Sequence, residues 1–207
     1  ADIMLPSTSL NLEQLALVET IGIGAHAVDR AQIEPGEFVL VIGAGPIGLG
    51  IMEFARIAGA RIILMELSQN RIAFGQRHYP IEGIINTPEG AVERLEELCG
   101  GELPTAVFDA TGSRRSMMGA FSYVANGGRL VLVGITTEQI SFVGSESHRR
   151  EMTLLNSRNA RKSDLLNVME HMSNGNIDTA PWITHRANPS QLIDEFPGWL
   201  DPENGVV

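Results

Sequence analysis

Through the middle of the chain, short apolar runs alternate with longer stretches whose apolar residues recur at helical spacing. Phe38-Val39-Leu40-Val41-Ile42 and Ile62-Ile63-Leu64-Met65 are apolar throughout and of strand length. The pattern predicts strand 38–42, helix 46–58 ended by Gly59, strand 61–66 and helix 69–77. A strand near 83–86 follows, then helix 88–99 ended by Gly100-Gly101, strand 105–110, helix 113–125, and strand 129–134 after Asn126-Gly127-Gly128. Strands alternating with helices of this length imply an α/β fold with a doubly wound parallel sheet.

The flanks have a different rhythm. Residues 11–30 carry helical spacing broken by Gly22 and Gly24, and Pro35-Gly36 closes the segment as a turn, so it reads as a bridging helix. Past Gly134 come a short alternating strand, Gln139-Ile140-Ser141-Phe142-Val143, a strand at 151–155, a helix at 162–174 and an irregular tail. Residues 1–5 read as the end of a strand and 204–207 as the start of another, so the sequence reads as a fragment.

Candidate chemistry concentrates behind the first strand. Gly43-Ala44-Gly45-Pro46-Ile47-Gly48 follows it directly, and eighteen residues past Gly48 an acid, Glu66, ends the second strand. Strand, glycine turn, helix, strand and terminal acid in one unit form the dinucleotide-binding fingerprint. Gly43 permits the tight turn, Gly45 lets a pyrophosphate approach the backbone, and Gly48 lets the helix pack on the sheet; the phosphates then meet free N–H groups at a helix N-terminus. S-adenosylmethionine-dependent enzymes share much of this layout, but Pro46 after the second glycine favours a dehydrogenase. Glu66 stands where a carboxylate takes both ribose hydroxyls and repels a 2′-phosphate, favouring NAD over NADP. Arg71, five residues on, is the rival: either a partner for that phosphate or a solvated helix residue. Ala110-Thr111-Gly112 and Val133-Gly134-Ile135 end later strands, where ligands of doubly wound sheets lie.

Composition narrows the function classes. The chain has 207 residues, 43% hydrophobic, and a net charge of −10 from 15 Lys+Arg against 25 Asp+Glu. That balance opposes nucleic-acid binding. The longest apolar stretch, 38–54, holds four glycines and a proline, which argues against a membrane span. One cysteine, Cys99, fits a reducing, cytoplasmic setting. His26, His78, His148, His171 and His185 show no metal-ligand spacing, and no nucleophile-elbow motif is present. Glu19 is an isolated acid in an apolar stretch, equally a helix-surface residue or a site residue.

Taken in order, these pieces resemble the zinc-type medium-chain alcohol and polyol dehydrogenases, in particular the branch acting on sorbitol, galactonate and threonine. The resemblance runs through Ala16-Leu17-Val18-Glu19, Gly24-Ala25-His26-Ala27-Val28, the segment from Val39 to Leu49, Phe108-Asp109-Ala110-Thr111-Gly112, Gly127-Gly128-Arg129-Leu130-Val131, Ser157-Arg158-Asn159-Ala160 and Thr184-His185-Arg186. It implies a Rossmann domain over 36–136. Segments 1–35 and 137–207 would then belong to a GroES-like catalytic domain, the first with the bridging helix and the second with a dimer-edge strand. It implies an enzyme oxidising a secondary alcohol with NAD, with Val133-Gly134-Ile135 along the nicotinamide, Arg158 near the pyrophosphate and Glu19 beside the catalytic zinc. It also implies a homodimer joined through Gln139-Ile140-Ser141-Phe142-Val143. The family's zinc-binding cysteine, Gly-His-Glu motif and four-cysteine lobe would lie upstream of Ala1, so zinc belongs to the full-length parent and this chain alone is expected to be inactive. Thr20 stands where the branch usually has proline. The alternative is a stand-alone NAD(H)-binding module or pseudoenzyme without redox chemistry.

Overall fold

The computed structural model describes residues 7–200. The terminal strands read at 1–5 and 204–207 lie outside the described residues. Six strands, β1 (Phe38–Ile42), β2 (Arg61–Met65), β3 (Ile81–Ile85), β4 (Ala106–Asp109), β5 (Arg129–Leu132) and β6 (Thr153–Asn156), pair in parallel in the order β3-β2-β1-β4-β5-β6. Strand order reverses between β1 and β4, which opens a crevice at the carboxyl ends of those strands.

The apolar runs are explained by where their side chains go. Along β1, Val39 and Val41 enter one core cluster while Leu40 and Ile42 enter another, so neither face meets water. On the first face lie α1 (Leu12–Ala31), α2 (Pro46–Ile57) and α7 (Lys162–Ser173), through Ile21, Ile51 and Val168 among others. On the second lie α4 (Ala91–Leu98) and α5 (Arg114–Ala120), through Leu95 and Met117. Each such side chain contributes about 1.5–3 kcal/mol on burial. The helix α3 (Gln69–His78) connects β2 to β3 and is capped by the Ser68 side chain.

Three expectations change. The helix α1 runs unbroken through Gly22 and Gly24 instead of breaking there. A Cβ on Gly24 would sit 2.2 Å from the Gly50 carbonyl carbon, so the absent side chain lets α1 press onto α2. Second, Gln139-Ile140-Ser141-Phe142-Val143 forms no strand. The Arg114 guanidinium donates to the Gln139 carbonyl (2.8 Å), the Phe142 ring stacks on Phe121 at 4.4 Å, and Val143 caps the short α6 (Gly144–Arg149). The physical reason is the crossover: β6 runs parallel to β5, and a parallel connection takes a dozen or more residues. Residues 133–152 supply that connection, and β6 carries the sheet past residue 136. Third, the tail is not irregular throughout: a 3₁₀ turn at Ala180–Trp182 buries Trp182, and α8 (Leu192–Trp199) forms despite Pro197 within it. Among the described residues, no helix is long and apolar enough to cross a membrane.

Candidate functional site

The glycine turn leaves β1 with Gly43 at φ +94°, a left-handed conformation that strains any residue with a Cβ. A Cβ on Gly48 would fall 1.8 Å from the Gly43 carbonyl oxygen, so α2 starts directly against the turn only because that position is glycine. Gly45 is the N-cap of α2 and offers no side-chain cap, while Pro46 at the first helical position has no N–H to satisfy. The first-turn amides of α2, including those of Ile47 and Gly48, therefore face outward without a side-chain acceptor, a ready site for an anion.

Glu66 is held rigidly beside that turn. Its Oε2 accepts from the Ala44 amide at 2.7 Å, and its Oε1 accepts from Leu67 and Ser68 amides at 2.7 and 3.0 Å. Only 9% of the residue is exposed. Its carboxylate thus links the end of β2 to the glycine turn, with one lone pair on Oε2 left for a ligand's hydroxyl. The Arg71 guanidinium lies 4.0 Å from Oε2.

The opposite wall comes from β4 and α5. Asp109 is fully buried at the end of β4; its carboxylate accepts from the Thr111 amide and hydroxyl and from the Ser116 hydroxyl. Its carbonyl accepts from Val133 and Gly134 amides at 2.9 Å, tying the loop after β5 to the loop after β4. Gly134 packs so closely on Gly112 that a Cβ there would meet its amide nitrogen at 2.2 Å.

Between the walls lies a cleft of about 540 Å³. It is lined by six of the residues singled out from sequence: Gly43, Gly45, Glu66, Arg71, Ala110 and Thr111. Pro46, Ile47 and Gly48 stand just outside it at the start of α2. Gly112, Val133, Gly134 and Ile135 form a second group beyond Thr111; Val133 is buried and Ile135 is 81% exposed. Arg158 is exposed just past the carboxyl end of β6, outside the cleft. Glu19 is exposed in the middle of α1, also outside it.

Sequence reasoning missed the far half of the cleft. Leu67 and Pro88 line it, as do Ser113, Arg115, Ser116, Gly119 and Tyr123. Positions 116, 119 and 123 follow helical spacing, so a helix at 113–125 already placed them on one face; which face met the crevice needed the sheet. Burial, reinforced by the nearby Glu89, pushes the Tyr123 hydroxyl above its ordinary pKa and keeps it neutral.

A zinc ion does not fit the residues present. Among the described residues, no group of three or more His, Cys, Asp and Glu is arranged to hold a metal, and a catalytic zinc takes about three protein ligands. Of the histidines, His26 is buried against Asp164 at 2.9 Å, His171 is half-buried, and His78, His148 and His185 are exposed.

A sequence profile of the family described as zinc-binding dehydrogenase matches residues 46–174. The chain is 36% identical to L-galactonate-5-dehydrogenase of Escherichia coli (strain K12) over 193 residues, covering 93% of this chain and 57% of that protein. It is 30% identical to sorbitol dehydrogenase of Arabidopsis thaliana over 189 residues, covering 88% of this chain and 51% of that one. The chain thus spans little more than half the length of these relatives. Its fold superimposes on 2R,3R-butanediol dehydrogenase from Bacillus subtilis with a TM-score of 0.87 at 27% identity, covering 99% of this chain and 58% of the other. By sequence profile and by relatives alike, the chain belongs to the zinc-binding dehydrogenase family.

Proposed function

We propose that the chain is the NAD(H)-binding portion of a dehydrogenase that oxidises a secondary alcohol of a polyol, sugar acid or similar small molecule. The observation that carries this reading is the Glu66 carboxylate, fixed by three backbone amides at the mouth of the glycine turn. The relatives' names, L-galactonate-5-dehydrogenase and sorbitol dehydrogenase, supply the substrate class.

In this reading Gly43, Gly45 and the first turn of α2, with Pro46, Ile47 and Gly48, receive the pyrophosphate. Glu66 accepts from an adenosine ribose hydroxyl. Ala110, Thr111 and Gly112, then Val133, Gly134 and Ile135, run along the dinucleotide toward the nicotinamide, and Arg158 reaches the phosphates. Bound NAD supplies the hydride acceptor. No step is assigned to zinc or to Glu19.

A 2′-phosphate would meet the Glu66 carboxylate, and two close anions repel. Calorimetry should therefore give tighter binding of NADH than of NADPH, by about tenfold or more. Equal or tighter NADPH binding overturns the assignment and points to Arg71 as the phosphate partner.

Domain organisation and assembly follow the same reading: 1–35 and 137–207 border the dinucleotide domain at 36–136, with β6 joining its sheet. Leu154 on the edge strand β6 is exposed, as are Phe142 and Val143 in the connection before it, and an uncovered strand edge favours pairing with a second copy. We place a homodimer there, through the 139–143 segment; a monomer in sedimentation at micromolar concentration refutes it. The free Cys99 fits a cytoplasmic location.

A further inference from the structure

The hydroxyl of Ser116 on the cleft wall has its proton turned away from the cleft. Asp109 receives three hydrogen bonds, from Thr111 N at 2.9 Å, Thr111 Oγ1 at 2.7 Å and Ser116 Oγ at 2.5 Å. A carboxylate only accepts, so both hydroxyls commit their protons to it. The Thr111 oxygen is further occupied by the Ser113 amide at 3.0 Å. Ser116 lines the cleft, and what it presents there is a lone pair. Leu67, Pro88, Gly119 and Tyr123 line the same cleft as Ser116 and Glu66, and give it apolar surface against which a flat ring can pack. Arg115, which also lines the cleft, has a side chain 85% exposed that faces Glu89 at 3.9 Å.

We propose that Ser116, oriented by the buried Asp109, is a specificity-determining acceptor for the exocyclic amine of an adenine ring, and that the cleft thereby rejects the hypoxanthine counterpart. Hypoxanthine carries an oxygen where adenine carries the amine, so lone pair would face lone pair. This rests on the reading that the cleft holds NAD(H). Asp109 acts as a positioning residue: it does not touch the ring but decides which way the serine hydroxyl points.

The test compares NADH with its hypoxanthine analogue, deamino-NADH, by calorimetry on the whole chain. The analogue should bind about tenfold more weakly, the cost of one unmatched polar contact. In Ser116→Ala the two affinities should become equal. In Asp109→Asn the side-chain amide donates to Ser116 Oγ and frees the hydroxyl proton to turn into the cleft, so the preference should shrink or reverse, with a thermal melt reporting that the variant is folded. Should the Asp109 variant not fold, Ser116→Ala decides alone. Equal binding of the two nucleotides by the unaltered chain, or a preference that survives Ser116→Ala, overturns the proposal. Binding of neither nucleotide overturns the cofactor reading itself, and the proposal with it.

Discussion

Gly48 and Glu66 do different work in the same turn, and their substitutions should be told apart by measurement. A Cβ at position 48 has no room, since its obstacle, the Gly43 carbonyl, is backbone and not a flexible side chain. Gly48→Ala should lower stability by about 2 kcal/mol or more and the melting temperature by about 6 °C. A melt unchanged within error would mean that α2 starts further from the turn than described. Glu66→Gln keeps the shape but sets an amide NH₂ against backbone N–H donors. It should weaken NADH about tenfold in a titration and leave NADPH no weaker. The near half of the cleft was legible because its chemistry is local: Gly43, Gly45 and Glu66 declare themselves by spacing, and Ala110 and Thr111 by ending a strand. Ser116 and Tyr123 were not legible as site residues, because their role depends on which side of α5 and of the 3₁₀ turn after it borders the crevice.

Among the elements, α1 and α7 are joined by one polar knot in otherwise apolar packing. His26 Nδ1 lies 2.9 Å from Asp164 Oδ2, and the Arg161 backbone amide and guanidinium donate to the same carboxylate while also reaching Asp29. Burial alone raises the Asp164 pKa, but the hydrogen bonds and charge of Arg161, with His26, outweigh it and leave the carboxyl below its ordinary value. A depressed folded-state pKa contributes stability above the unfolded value, about pH 4, that is lost as pH falls through the folded value. The melting temperature should therefore drop below about pH 4, and Asp164→Asn should flatten that drop. Asp164→Ala at neutral pH should cost about 2–3 kcal/mol, because it strands a buried imidazole and removes the helix cap. The central strands and helices were readable from period alone, since parallel strands buried on both faces leave unbroken apolar runs. The misread segment, 139–143, alternates like a strand for another reason: Ile140 packs into the second core cluster and Phe142 on Phe121, while the backbone between them stays outside the sheet. Alternation records which side chains are buried and carries no record of a hydrogen-bonded partner strand.

At the scale of the whole molecule, binding and turnover should come apart. The cleft and the glycine turn both lie within the described residues, and in the proposed reading they hold the dinucleotide. Oxidising an alcohol by hydride transfer requires the hydroxyl proton to leave as well, and in water that group is too weak an acid at neutral pH. Among the described residues no cluster of acid, thiol and imidazole groups is arranged to hold a metal that would lower its pKa, and Glu19 alone, exposed on α1, supplies one oxygen donor site. The net charge of −10 attracts cations only diffusely, and diffuse attraction is screened at ordinary ionic strength. After dialysis against chelator-free buffer, elemental analysis should find no stoichiometric zinc. The chain should form no NADH from sorbitol, threonine or sugar acids while still binding the reduced cofactor in a titration. Bound zinc, with turnover that disappears in Glu19→Ala, would mean that residues outside the described range complete a metal centre around that helix.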